Sequence, residues 1–191
     1  MVDMDEFLFI VNNSLKRYLS SKIFKKCDFI KFHWVIPTDN DLILYDKRPL
    51  FERFKPPYIE SKFIKTIIRG NISGLKYRVH SPSISPKKNI TCNNEGKRIY
   101  YKKMNFESYN PININKAYII HFIFKSTEEF INKLKRGHNK WSESRCSKYK
   151  RSYIKFYFEK NKPTLEKISL IEKKLNLNLS EFKKIEKIIR I

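Results

Sequence analysis

Apolar and polar residues alternate along the chain in short segments whose spacing predicts an α/β fold. Four apolar, β-prone runs are typical of strands, namely residues 7–11, 28–36, 62–69 and 118–124. A helix follows the first run, because apolar residues recur at helical spacing from Leu15 to Ile23, behind the capping candidates Asn13 and Ser14. The pattern therefore predicts a mixed sheet with helices between and after its strands.

Two further helices are predicted from their first residues. Ser126 and Glu129 have the spacing of a capping box, and Gly137 is placed to end that helix. Thr164 starts another helix with apolar residues on one side, and Ser180 starts a last one. The C-terminal region is therefore predicted to be helical.

The turn-forming residues 37–41, followed by the β-prone residues 42–45, predict a hairpin, and residues 81–96 read as a loop. We expect one compact chain in three segments. These are a main α/β domain over residues 1–137, a basic connecting segment over 138–162 and a helical tail over 163–191.

The charge of the chain is strongly positive. Its 191 residues include 41 Lys and Arg against 19 Asp and Glu, a net charge of +22, which favours anionic partners such as nucleic acid, anionic lipid or phosphorylated ligands. The charge is dense over residues 131–155, where aromatic residues interleave with it: Trp141, Tyr149, Tyr153 and, just beyond, Tyr157. This pattern suits single-stranded nucleic acid, whereas the plainer alternative is a solvated face with its aromatic residues in the core.

The cysteines and the length of the apolar runs indicate the cellular compartment of the chain. Cys27, Cys92 and Cys146 are odd in number and far apart, so the sequence signals neither a zinc cluster nor a disulfide framework and indicates a reducing compartment. No run approaches the ~20 apolar residues of a membrane span. We therefore expect a cytoplasmic location with no transmembrane segment.

Two carboxylates near the N-terminus are candidate metal ligands. Asp3 and Asp5 are separated by one residue, so on an extended backbone they point the same way and can reach one divalent cation. Such a cation would neutralise a leaving diphosphate. The motif is short, and the alternative is a solvated acidic tip.

Two of the four histidines are candidates for the same metal. His80 sits where a predicted strand gives way to a loop, a position that often displays functional side chains. His121 lies within an apolar run, where a hydrogen-bonded core histidine is the alternative. The sequence does not separate these two candidates.

Taken together and in order, four blocks resemble the C-terminal half of glycosyltransferases of the GT-A fold, of the family 2 and family 92 type. The blocks are VDMDEFL at residues 2–8, HWV at 33–35 with PLFERF at 49–54, KTIIR at 65–69 with VHSP at 79–82, and HFIFKSTEEF at 121–130 with KLKRG at 133–137. The resemblance implies a partial, Rossmann-like α/β domain. It further implies transfer of a sugar from a nucleotide-sugar donor to a hydroxyl of a glycan or other acceptor.

The resemblance also assigns roles. Asp3, Asp5 and His80 would hold Mn or Mg. Glu52 would act as the general base on the acceptor hydroxyl. Three further residues would contact the donor: Lys65 and Arg69 at the diphosphate, and Trp34 at the sugar.

The chain departs from the family pattern at its start. The nucleotide-binding units expected before the two aspartates are represented only by Met1 and Val2. We therefore expect a separate N-terminal half as a partner and little activity of this chain alone. An inactive scaffold, with its C-terminal amphipathic helices packed on a partner, is the remaining alternative.

Overall fold

The computed structural model describes residues 4–72, 89–99, 112–137 and 143–177, with side chains from residue 148 onward in the last range. The elements are β1 (Glu6–Ile10), α1 (Leu15–Leu19), β2 (Phe29–Ile36), α2 (Leu50–Arg53), β3 (Ile59–Ile68), β4 (Thr91–Asn93), β5 (Ala117–His121), α3 (Thr127–Arg136), α4 (Glu143–Asn161) and α5 (Leu165–Leu175). They belong to two compact units. Unit 1 takes the described residues of Met1–Ile36 and Glu60–His121, and unit 2 those of Pro37–Ile59 and Phe122–Ile191.

Unit 1 is built on a mixed sheet with the strand order β1-β5-β2-β3, and β4 pairs with β2. β1 runs antiparallel to β5, with Glu6 opposite His121. β2 runs parallel to both β5 and β4. The predicted α/β class with a mixed sheet is therefore confirmed, whereas the three-segment organisation stays a prediction.

The core of unit 1 lies against β2, whose residues are all buried. Alternate residues Ile30, Phe32 and Trp34 face one side of the sheet, where Tyr18 and Phe24 pack on them. A continuous apolar run of this kind is expected of a strand that is covered on both faces. The prediction of a strand at 28–36 is confirmed.

Helix α1 is shorter than predicted. Ser14 caps it, accepting a hydrogen bond from the Arg17 backbone N–H, but the helix ends at Leu19 and a 3-10 turn, Lys22–Phe24, follows. Serines 20 and 21 interrupt the run, in keeping with the tendency of serine to compete for backbone hydrogen bonds outside a helix. Only part of the expected helical face therefore forms.

Cys27 and Cys92 form a disulfide, with their Cα atoms 5.8 Å apart. The prediction that the cysteines signal no disulfide was wrong. The two residues are 65 positions apart and meet only because β4 pairs with β2, placing Thr91 opposite Phe29. Sequence spacing carries no trace of this pairing. The inference of a reducing compartment rested on the absence of a disulfide signal, so it no longer has support.

In unit 2, the capping box of α3 is confirmed. The Ser126 side chain accepts from the Glu129 N–H, and the Glu129 side chain accepts from the Ser126 N–H. The predicted hairpin is wrong, because residues 42–45 form no strand. The carbonyl oxygens of Leu42 and Ile43 instead accept hydrogen bonds from the N–H groups of Thr127 and Glu128, in the first turn of α3.

Helix α4 was not predicted, since its sequence was read as a connecting segment. From residue 148 onward, where side chains are described, its buried residues are Ile154, Tyr157 and Phe158 at helical spacing, but six Lys and Arg among the 19 residues of the helix mask that stripe. Helix α5 was predicted correctly, and Thr164 caps it by accepting from the Lys167 N–H. The predicted helix from Ser180 lies outside the described residues.

Strand β4 falls inside residues 81–96, which were read as a loop. Tyr118 begins the strongest predicted strand, which is found as β5 but ends at His121. Within the described ranges, no helix has both the length and the apolar character needed to cross a membrane.

Candidate metal centre

The start of β1 and the end of β5 bring three chemically active side chains together in unit 1. The strands are antiparallel, so Glu6 at the start of one lies opposite His121 at the end of the other. Asp5 immediately precedes β1. As a result, Nε2 of His121 lies 3.7 Å from Oδ1 of Asp5.

The His121 imidazole also contacts Glu6 and Trp34. Its Nδ1 lies 3.7 Å from Oε1 of Glu6, so the imidazole stands between two carboxylates. The Trp34 ring meets the imidazole edge to face, with ring centroids 4.3 Å apart. Packing and charge together restrict the orientation of His121.

Glu6 also forms a buried ion pair. Its Oε2 lies 3.0 Å from Nζ of Lys65, and both side chains are almost fully buried. A charged carboxylate is costly to bury unless it is paired or hydrogen-bonded. The ion pair with Lys65 offsets this cost for Glu6. The Glu6 carboxylate thus links Lys65 to His121.

The donor atoms of Asp5 and His121 suit a divalent cation. Two donors each about 2.1 Å from one metal lie roughly 3.0–3.4 Å apart, so the observed 3.7 Å needs only a small inward movement. A carboxylate behind a metal-ligating histidine typically fixes its ring orientation, and Glu6 occupies that position. The residues present therefore fit such a group, with Asp5 and His121 as ligands and Glu6 behind them.

Two ligands do not complete a coordination shell. Across the ranges that the structure describes, no group of three His, Cys, Asp or Glu side chains converges to hold a metal. Asp3 and His80, the other two ligands predicted from sequence, lie outside the described residues. His121, one of the two histidines left open by the sequence, lies beside Asp5.

Two of the other predicted site residues contact this cluster. Trp34 is buried and contacts His121, and Lys65 pairs with Glu6. Arg69 donates hydrogen bonds to the carbonyl oxygens of Phe24, Lys25 and Cys27, so its guanidinium holds the chain segment before β2. Glu52 is exposed on α2, in unit 2.

Sequence reasoning assigned no role to Glu6. The residue stands beside Asp5 in the motif, but its contacts to His121 and Lys65 depend on the pairing of β1 with β5 and on the position of β3. The signal that could have been used is the acidic residue directly before the predicted strand. Successive strand residues point to opposite faces of the sheet, so Glu6 and Asp5 are expected to point in different directions.

Two further ionisable groups are buried on β2. Burial lowers the pKa of Lys31 to about 8. Burial also lowers the pKa of His33, whose Nδ1 accepts a hydrogen bond from the Asn113 N–H, so the neutral imidazole is favoured. These side chains leave the opposite face of β2 from Trp34, because neighbouring strand residues alternate in direction.

A second buried cluster, in unit 2, was also missed. Nζ of Lys167 lies 3.0 Å from both carboxylate oxygens of Asp39 and 2.9 Å from Oδ1 of Asp41. The Tyr157 hydroxyl donates to Asp39, and the Thr127 hydroxyl lies 3.1 Å from that of Tyr157. Burial and the Asp39 charge raise the pKa of Tyr157, so this phenol stays protonated.

No protein-family model, curated protein or solved structure matches the chain.

Proposed function

We propose that the chain takes part in metal-dependent transfer of a sugar from a nucleotide-sugar to a hydroxyl acceptor. The observation that carries the proposal is the placement of His121 beside Asp5 at the meeting of two strand ends. Both residues belong to the sequence blocks that resemble GT-A glycosyltransferases. The α/β class with a mixed sheet is compatible with the Rossmann-like fold of those enzymes.

In this proposal Asp5 and His121 hold Mn or Mg, and Glu6 orients the imidazole. The cation would neutralise the negative charge that develops on a departing diphosphate. The Glu6 carboxylate is paired with Lys65 through one oxygen, and its other oxygen lies 3.7 Å from Nδ1 of His121. Lys65 therefore acts on the site through Glu6 in this proposal, rather than as the direct diphosphate contact predicted from sequence.

Calorimetry tests the donor half of the proposal. Uridine, guanosine and adenosine diphosphates are titrated into the chain with and without Mn²⁺, and again into an Asp5→Asn variant. We expect binding of at least one nucleotide to require Mn²⁺ and to weaken at least tenfold in Asp5→Asn, in line with the loss of a metal ligand. Asp46→Asn, the same chemical change on an exposed ion pair with Arg48, is the control and should bind as the parent does.

Nucleotide binding that is equally strong without Mn²⁺, or in Asp5→Asn, contradicts the proposal. Asp3→Asn and His80→Gln are informative additions, because the sequence predicts both residues as further ligands. An Asp3→Asn variant that loses Mn²⁺-dependent binding would add a third ligand to Asp5 and His121.

Glu52 stays a proposed general base. It is exposed on α2, where a carboxylate is accessible to an acceptor hydroxyl. If it removes the acceptor proton, Glu52→Gln should lower the rate of sugar transfer by about 10²–10⁴ and leave diphosphate affinity unchanged. Transfer at the parent rate by Glu52→Gln would remove this assignment.

A further inference from the structure

The buried cluster of unit 2 places an amine directly against a carboxyl group. Nζ of Lys167 lies 3.0 Å from Oδ1 of Asp39 and 3.0 Å from Oδ2, so it faces both oxygens at once. From the dimensions of a carboxyl group, these distances place Nζ roughly 2.9–3.4 Å from the carboxyl carbon, which is about the separation of atoms that are poised to react. The pair therefore has the spacing of a nucleophile and the carbon that it attacks.

Both partners are shielded from water. Lys167 is 1% exposed and Asp39 is 2% exposed. Transfer of one proton from Nζ to the carboxylate converts the ion pair into a neutral amine and a carboxylic acid, and burial lowers the cost of this step because neutral groups need less solvation. A neutral amine and a carboxylic acid are the forms that combine to give an amide. The exclusion of water also protects such an amide from hydrolysis.

A second carboxylate lies next to the amine. Oδ1 of Asp41 is 2.9 Å from Nζ of Lys167, and the Asp41 side chain is 87% exposed. Asp41 can therefore accept a proton from Nζ and exchange it with solvent, which is the role of a general base. Asp41 has a positive φ of 59°, and its N–H donates a hydrogen bond to Oδ1 of Asp39, so its backbone is fixed beside the pair.

Two hydroxyl groups also lie at the Asp39 carboxyl. The Tyr157 hydroxyl donates to Oδ2, and the Thr127 hydroxyl lies 3.1 Å from that of Tyr157. Burial raises the pKa of Tyr157, so the phenol keeps the proton that it donates. A fixed donor at this oxygen stabilises the negative charge that develops on it when the carboxyl carbon is attacked. The cluster thus contains a nucleophile, an electrophile, a base and an oxyanion donor.

We propose that Lys167 and Asp39 join in an isopeptide bond that the chain forms by itself. Nζ of Lys167 attacks Cγ of Asp39, and a C–N bond forms. The bond from Cγ to one carboxyl oxygen breaks, and that oxygen leaves as water with the carboxyl proton and one amine proton, which Asp41 relays. No oxidant, metal or other reactant is consumed. The ion pair is the arrangement from which the bond forms.

The proposed bond adds a covalent link within unit 2. It joins positions that are 128 residues apart and so ties residues 37–41 to α5. Unlike the hydrogen bonds around it, this link persists when the chain is unfolded. It does not depend on the metal centre, whose described residues lie in unit 1.

Mass spectrometry of the full chain, unfolded and with its disulfide reduced, tests the proposal. Loss of one water should make the purified chain about 18 Da lighter than the mass calculated from its sequence. Digestion should release one branched peptide in which Lys167 is joined to Asp39. A chain that keeps the full mass after prolonged incubation in the folded state would overturn the proposal.

The digest also separates this bond from other losses of water. A lighter chain that yields only linear peptides would overturn the proposal, because the water would then have been lost elsewhere, as in a cyclic imide at an aspartate. The branched peptide is sought in the parent chain, so this result does not depend on the folding of any variant.

A matched pair of variants tests the nucleophile. Lys167→Arg keeps the positive charge but replaces the amine with a guanidinium, which stays protonated and does not attack a carboxyl carbon. We expect Lys167→Arg to have the full mass. Lys173→Arg, the same change at an exposed position of α5, should lose water as the parent chain does. Loss of water by Lys167→Arg, or full mass of Lys173→Arg, would contradict the assignment of Lys167.

The role of Asp41 is tested by the rate of bond formation. Chain that has been isolated unfolded is refolded, and the lighter fraction is followed over time. Asp41→Asn keeps an oxygen beside Nζ but cannot accept its proton, so the bond should form about tenfold more slowly or worse. Asp46→Asn, on the surface ion pair with Arg48, is the control and should react at the parent rate. Equal rates in Asp41→Asn and the parent would overturn the role of Asp41.

Discussion

Units 1 and 2 each bury a lysine against a carboxylate, and the two clusters differ in how closely their members are bonded. In unit 2, Lys167 lies within 3.0 Å of Asp39 and Asp41, and Tyr157 donates to the same Asp39. These contacts join α4, α5 and residues 39–41. The geometry is that of a hydrogen-bonded structural network.

In unit 1, Lys65 and Glu6 are equally close, but His121 lies 3.7 Å from both Asp5 and Glu6. This separation exceeds the length of a hydrogen bond and is near the spacing of two ligands around one cation. The contrast fits a structural role for the buried charges of unit 2 and the metal role that we propose for Asp5 and His121 in unit 1.

The largest expected effect is on the unit 2 cluster. Lys167→Met leaves the buried Asp39 carboxylate without its cation and should lower the free energy of unfolding by up to about 5 kcal/mol. Urea denaturation measures the loss. Lys173→Met, on the exposed side of the same helix, is the control and should change stability by less than about 0.5 kcal/mol.

A second variant shows whether the loss comes from the unpaired charge. Asp39→Asn combined with Lys167→Met removes both charges and should recover part of the stability, because the desolvation penalty of a lone carboxylate is gone. A double variant as unstable as the sum of its parts would contradict a charge-paired network.

The disulfide should stabilise unit 1 by a similar amount. Cross-linking residues 65 positions apart corresponds to about 4 kcal/mol in the chain-entropy account. Cys27→Ala with Cys92→Ala should therefore lower the free energy of unfolding, and amide hydrogen exchange should accelerate in unit 1 more than in unit 2. Cys146→Ala is the control. Labelling of three free thiols in the untreated native protein would contradict the pairing.

Lys31 gives unit 1 a distinctive pH dependence. Its pKa is about 8 when folded, against an ordinary value of 10.5, so between these values the unfolded chain binds more protons. Stability should then rise as pH increases from 8 towards 10.5, by up to about 3 kcal/mol. Lys31→Met should lack this rise, while the exposed control Lys26→Met should keep it. If stability depended on pH in the same way in the two variants, Lys31 would not be the source of the rise.

The sequence predicted elements whose signals are local. The burial of β2 follows from its continuous apolar run, and the hydrogen bonds of the capping box follow from the spacing of Ser126 and Glu129. Both signals lie within a few residues of sequence, so both features could be predicted. Features that depend on strand pairing could not. The Cys27–Cys92 bond requires β4 beside β2, and the contacts of Glu6 require β5 beside β1 together with the long reach of Lys65 from β3.

The candidate site stays a prediction, and it combines a local signal with a non-local one. The Asp3 and Asp5 motif can be recognised from its spacing, whereas the contact of His121 with Asp5 depends on the antiparallel register of β1 and β5. Helix α4 was missed because its cations outnumber the buried residues that define its apolar stripe. The many basic residues of α4 therefore obscured the helical spacing of its buried apolar residues.

The most direct test of the metal centre is a Mn²⁺ titration followed by electron paramagnetic resonance of the unbound ion. The parent chain should bind Mn²⁺, and His121→Gln should bind at least tenfold more weakly. His33→Gln, which also replaces a buried histidine on the sheet of unit 1, should bind like the parent. Unchanged Mn²⁺ affinity in His121→Gln, or an equal loss in His33→Gln, would contradict the assignment of His121 and Asp5 as a metal centre.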